Sequence, residues 1–174
     1  LEYFVSVHFI FQHGNNISDL THLAHLDEIF ELGLADNNIS DLSPLAGMTG
    51  LRQLIAGENP ISDITPLANM SYLGWLRLNS TDVTDFTTLY GLDSLTELDL
   101  GSNQLGDVSF AANLTQVKTL ILNGDNISDV TALGSLTGLE ILNLVFNRIA
   151  DITPLSGLTG IRELNLRYNE IVDI

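Results

Sequence analysis

The chain has no cysteine, which removes disulfides, thiolate metal sites and thiol nucleophiles from consideration and leaves compartment undecided on redox grounds. Basic residues are scarce as well: six Lys and Arg stand against 22 Asp and Glu, a formal net charge of −16. Nucleic acid and anionic membranes are bound through neutralised phosphates, so neither is expected as a partner. No signal-peptide pattern is present, and no apolar run reaches the roughly 18 residues that would cross a bilayer. No linker, low-complexity stretch or long charge run marks off a second domain.

What the chain does have is a period. Asp19, Asp41, Asp63, Asp85, Asp107, Asp129, Asp151 and Asp173 stand 22 residues apart without insertion or deletion. A fixed period of this length means one supersecondary unit stacked on copies of itself, each covering its neighbour's apolar face. The units 51–72 and 139–160 share apolar residues at unit positions 1, 4, 6, 11, 14, 17 and 20. Position 4, for example, runs Ile10, Leu32, Leu54, Leu76, Leu98, Leu120, Leu142 and Leu164. One domain is expected over 1–174: a partial repeat at 1–6, seven full repeats over 7–160 and a partial repeat at 161–174. Both ends fall inside a unit, so a fragment of a longer chain is expected.

These columns resemble the leucine-rich repeat family, whose pattern is carried here by Leu95, Leu98, Leu100, Asn103 and Leu105. The stretch Asp41-Leu42-Ser43-Pro44-Leu45, repeated at Asp63 and Asp151, is similar to the bacterial internalin type. The SDS22-like class also uses 22-residue units and is the second resemblance. The resemblance implies an α/β solenoid: a right-handed arc with a parallel β-sheet on its concave face and short 3-10 or helical turns on its convex face.

Residue chemistry supports the same elements. Positions 3 to 7 alternate outward and inward, as in Glu97-Leu98-Asp99-Leu100-Gly101, the mark of a short half-buried strand. Position 9 holds Asn15, Asn37, Asn59, Asn103, Asn147 and Asn169, with Thr81 and Asp125 as departures. An amide there is expected to bond turn backbone and link successive units in a ladder. Ser or Thr at position 15, followed by Pro44, Pro66 or Pro154, reads as the N-cap of a helical turn with proline in its first position. In one unit Ala111 replaces leucine and Phe110 replaces proline, and the ring is expected to turn inward as compensation.

The aspartate column invites a calcium reading, but calcium needs six to eight oxygens and the column's neighbours at positions 11 and 14 are aliphatic. One Asp per turn, bonding nearby N–H groups, is the structural reading and is preferred; calcium remains the lesser possibility. His8, His13, His22 and His25 fall in one unit but on opposite faces, so no metal site is assigned. No constellation of catalytic residues recurs and no cofactor is expected, so the chain is read as a non-enzyme. Six N-x-S/T triplets, at Asn16, Asn38, Asn69, Asn79, Asn113 and Asn126, would accept glycans only in a eukaryotic secreted protein.

Function is expected where the columns stop repeating, on exposed strand positions 2, 3, 5, 7 and 8. There stand Ile55, Trp75, Arg77, Ile121, Ile141, Val145, Phe146, Arg167 and Tyr168. Aromatic side chains and arginine dominate binding hot spots, and contiguous exposed apolar surface marks an interaction site. Phe9 and Phe11 are weaker candidates, because Gln12 breaks an apolar column beside them. The reading is a protein-binding module whose partner sits on the concave face. The internalin resemblance implies a secreted or cell-surface bacterial protein. The alternatives are an intracellular SDS22-like subunit docking on an enzyme such as a phosphatase, and a structural spacer in an adhesin.

Overall fold

The computed structural model describes residues 7–174, so the partial repeat expected at 1–6 lies outside the described residues. The chain divides into two compact units, one up to Leu95 and one over Thr96–Ile174. The first holds strands β1 (Phe9–Phe11), β2 (Glu31–Gly33), β3 (Gln53–Ile55) and β4 (Trp75–Arg77). They pair in parallel, one repeat apart, so Ile10 lies beside Leu32, Leu32 beside Leu54 and Leu54 beside Leu76. The second holds β5 (Glu97–Asp99), β6 (Thr119–Ile121), β7 (Ile141–Asn143) and β8 (Glu163–Asn165), in which Leu98, Leu120, Leu142 and Leu164 align in the same way. Each strand is three residues long, and in β1 to β7 its central side chain enters the core.

The return leg of each repeat is a 3-10 turn, such as Ser43–Leu45, Thr65–Leu67, Thr131–Ser135 or Thr153–Gly157. In one repeat Leu51, Leu54, Ala56, Ile61, Ile64, Leu67 and Met70 are all at most 1% exposed. Fully burying a leucine or isoleucine contributes about 1.5–3 kcal/mol, so the columns hold each repeat on the next. This is a leucine-rich repeat solenoid of parallel strands backed by 3-10 turns.

The turns are capped differently from the expectation. Position 15 is the first residue of each turn. The N-cap is the aliphatic before it, Leu42 or Ile64, with no side-chain cap bond. The aspartate two residues upstream does the work instead, because a short carboxylate reaches the N–H of residue i+2. Asp41 Oδ1 accepts from Ser43 N at 2.7 Å, and Asp19, Asp63, Asp85, Asp107, Asp129 and Asp151 accept equivalently at 2.7–2.9 Å. The position 15 hydroxyl donates back to the other oxygen, as Ser43 Oγ does to Asp41 Oδ2 at 2.9 Å. Bonds from the backbone and hydroxyl of Thr21, Ser43 and Thr87 hold Asp19, Asp41 and Asp85 below the usual carboxylate range. The hydroxyls of Thr131 and Thr153 lead the same effect at Asp129 and Asp151. Asp173 accepts from Ile174 N at 3.0 Å.

Asparagines at position 9 tie adjacent repeats together. Buried Asn59 accepts from Ile39 N at 2.9 Å and donates to Leu34 O at 3.0 Å and Ala56 O at 3.1 Å. Buried Asn147 accepts from Ile127 N at 2.9 Å and donates to Leu122 O at 2.8 Å. Half-buried Asn37 and Asn169 repeat the pattern. Asn103 donates to Leu100 O at 2.6 Å. Asn15 is exposed and reaches only its own turn. Ala111 is fully buried while Phe110 is half-buried, so the ring does not turn fully inward to compensate for the leucine missing at Ala111.

Candidate functional site

Alternation along β1 to β4 sends positions 3 and 5 outward, and in the first unit these carry a run of rings. Phe9 and Phe11 are 55% and 52% exposed, and Phe11 stacks on His13 at 6.1 Å. Gly33 lies beneath them: a Cβ there would stand 2.5 Å from His13 Nε2 and 2.6 Å from the Phe11 ring. His13 Nδ1 accepts from Ala35 N at 3.1 Å, which puts the proton of the neutral ring on Nε2. His8 stacks on Phe30 at 5.1 Å, and the Arg52 guanidinium lies over that same ring at 5.2 Å. Arg77 lies over Trp75 at 4.8 Å and beside Ile55 in register. Trp75, Arg77 and Ile55 are all half-buried.

In the second unit the decisive feature is a pair. Phe146 and Tyr168 are 60% and 69% exposed, with rings 4.3 Å apart and 3° from parallel. Both are at position 8, and both have left-handed backbone, φ 57° and 58°. The same position also has positive φ at Gly14, Asp36, Glu58, Ser80, Ser102 and Gly124. That conformation costs an L-residue with a bulky side chain about 1–2 kcal/mol, and glycine, Asn or Asp is its ordinary occupant. Two consecutive aromatics there satisfy neither the turn nor the core. Val145 and Arg167 immediately precede them; Val145 is half-buried and Arg167 exposed. Ile121 lies beside Asn143, and Ile141 between Thr119 and Glu163. Below this patch Glu140 bridges Lys118 at 3.4 Å and Arg162 at 3.1 Å, so these two cations are engaged within the sheet.

Of the nine candidate residues, Ile55, Trp75 and Arg77 therefore belong to the first unit and the other six to the second. Phe9 and Phe11, the weaker candidates of the sequence, lie in the first unit with His13, weighed there only as a metal ligand, and Phe30, which the sequence analysis did not name. Phe9 and Phe11 flank the buried Ile10 on β1, and Gly33 in the next repeat leaves room for the Phe11 and His13 rings. Among the described residues no group of three or more His, Asp or Glu side chains gathers as a metal site would require. Among them, too, no helix is long and apolar enough to cross a membrane.

A family profile described as leucine-rich repeats in two copies matches residues 27–69, 115–157 and 137–174. The chain belongs to the leucine-rich repeat family. Its repeats are internalin-like: an internalin, InlF, from Listeria monocytogenes is 37% identical with a TM-score of 0.84, over 95% of this chain and 48% of that one. The chain thus spans about half the length of InlF. Internalin C2 from the same organism is 29% identical with a TM-score of 0.71, over 91% of this chain and 80% of its own. The fold is shared with the leucine-rich repeat ectodomain of a plant membrane receptor kinase from Arabidopsis thaliana, solved in complex with Casparian strip integrity factor 2. That similarity has 23% identity and a TM-score of 0.76, over 95% of this chain and 22% of the receptor. Comparison with curated proteins gives no match. As a leucine-rich repeat chain of this type, the protein is a protein-interaction module.

Proposed function

We propose that this leucine-rich repeat chain binds a partner protein through exposed side chains on its strands and on the turns that directly follow them, without catalysis, as part of a secreted or cell-surface bacterial protein. The observation that carries this reading is the stacked Phe146–Tyr168 pair. It keeps two large apolar rings in water on backbone that disfavours them. Ile141, Val145 and Arg167 extend that surface in the second unit, and Ile55, Trp75 and Arg77 offer a second contact region in the first. Rings of this kind bury a large area with few rotatable bonds, and the weakly hydrated guanidinium group stacks on them. The Asn and Asp columns are the scaffold that positions the surface. The extracellular setting is supported by the likeness to the two internalins.

The test is capture from host-cell and bacterial lysates on immobilised chain, beside a Trp75→Ala/Phe146→Ala variant of matched stability. A protein held by the parent and released by the variant is the expected outcome. Equal capture by both would place binding on another surface.

A further inference from the structure

The amide ladder contains one ionisable rung. Asp125 occupies the position 9 column and is fully buried. Its Oδ1 accepts from Asn103 N at 2.7 Å, and the N–H groups of Gln104 and Leu105 also bond the carboxylate. Its Oδ2 is buried with no partner. In the asparagine repeats that corner of the side chain is the Nδ2 donor. It serves carbonyls 25, 3 and 2 residues earlier: Leu122, Leu144 and Val145 for Asn147, and Leu34, Ala56 and Gly57 for Asn59. The same offsets from Asp125 fall on Leu100, Leu122 and Asn123. An ionised carboxylate can only accept hydrogen bonds, so it has nothing to offer a carbonyl oxygen.

The backbone around Asp125 is also unlike that of the other repeats. Among the described residues, positive φ elsewhere occurs only at position 8. Here it occurs additionally at Gln104, Gly106 and Asn126, and Gly106 N donates to Asp125 O at 2.8 Å. The turn has been re-formed around this side chain. On the far side Asp125 N donates to Asn147 Oδ1 at 3.1 Å, which places the joint next to the backbone that carries Phe146.

We propose that Asp125 is an acid-tightened joint between the fifth and sixth full repeats. With its proton it takes the place of asparagine, its single O–H donating to one of the carbonyls those amides serve; without the proton the junction loosens. Burial pushes the Asp125 carboxyl up to about 6, against the opposing pull of the Asn103, Leu105 and Gln104 N–H groups. Asp99, on β5, is the charged group that acts on it, and it also opposes ionisation; Asn147, from β7's repeat, is neutral. The folded-state value lies above the unfolded one, so the stabilisation is complete below pH 3.8 and lost as pH rises to about 6.

The test compares the parent with Asp125→Asn, which supplies the missing donor at every pH, by urea unfolding between pH 3.5 and 8. At pH 7.5 the parent's unfolding equilibrium constant is expected to exceed that of the variant by on the order of a hundredfold, from a shift of about two pK units. The ratio falls to a few-fold near pH 4.5. Carboxyl ¹³C titration of the folded parent reads the same group directly, with an Asp125 midpoint near 6. A ratio that does not change with pH, or a midpoint in the ordinary carboxylate range, overturns the proposal.

Discussion

Replacing Asn147 by alanine separates the ladder from the apolar columns, because it removes a buried amide and leaves every apolar core side chain in place. The amide accepts from Ile127 N at 2.9 Å and Asp125 N at 3.1 Å, and donates to Leu122 O at 2.8 Å and Leu144 O at 3.0 Å. At 7% exposure the side chain shields these groups from water. A buried group left without a partner costs about 1–3 kcal/mol. The two orphaned N–H groups dominate, since carbonyls tolerate under-satisfaction better. Asn147→Ala is therefore expected to cost about 2–6 kcal/mol, a large share of the roughly 5–15 kcal/mol typical of a folded domain. Asn15→Ala is the control: that amide is exposed and makes two bonds of 3.2 Å within its own turn, so about 1 kcal/mol or less is expected. Urea unfolding with matched m-values measures both. A loss at Asn147 no larger than that at Asn15 would refute the view that buried amides bind the repeats together.

Close packing of the turns separates two glycines. A Cβ at Gly134 would stand 2.5 Å from the Pro154 carbonyl oxygen, whereas nothing lies within 4 Å of one at Gly47. Gly134→Ala is expected to destabilise by about 1–3 kcal/mol, and Gly47→Ala to be neutral or stabilising by up to about 1 kcal/mol; thermal melts decide, and equal shifts would contradict the packing. The capping aspartates fix the acid response. The folded-state values of Asp19, Asp41, Asp85, Asp129 and Asp151 are lowered, so the stability they confer is present above the ordinary carboxylate pKa of 3.8 and lost as pH falls below it. Asp41→Asn combined with Asp85→Asn should flatten the melting temperature between pH 5 and 2.5; an unchanged slope would show that the caps do not contribute.

The 22-residue period, a strand within positions 3 to 7 and the buried columns were legible in the sequence because each is dictated by packing and recurs at every 22nd residue; the strands themselves cover positions 3 to 5. Leu32, Leu54 and Leu76 are read as core by repetition alone, and they are core. The cap was harder. Asp41 and Ser43 are both good turn residues, and only the path of the chain shows that the carboxylate takes the N–H while the serine begins the turn. Left-handed backbone at position 8 was hidden by its variety, since Asp36, Glu58 and Ser80 look like ordinary exposed polar residues. Phe146 and Tyr168 were singled out as apolar surface, but their strain was not visible without φ. Asp125 was seen as a departure from Asn, and its burial depends on how the next repeat closes over it. The contact of Phe11 and His13 above Gly33 crosses two repeats and has no signature in any one column.

Binding through the strands and the turns that follow them is tested most directly by the affinity of purified captured partner for three forms of the chain: the parent, Phe146→Ala/Tyr168→Ala, and Tyr72→Ala. Tyr72 is 65% exposed and lies outside the strands, at the last position of its repeat, so it controls for the loss of an exposed ring. Titration calorimetry should show Tyr72→Ala equal to the parent and the double variant weaker by about thirtyfold or more, the scale of a hot-spot loss of about 2 kcal/mol. A double variant that binds like the parent, at equal stability, would contradict a function seated on this face.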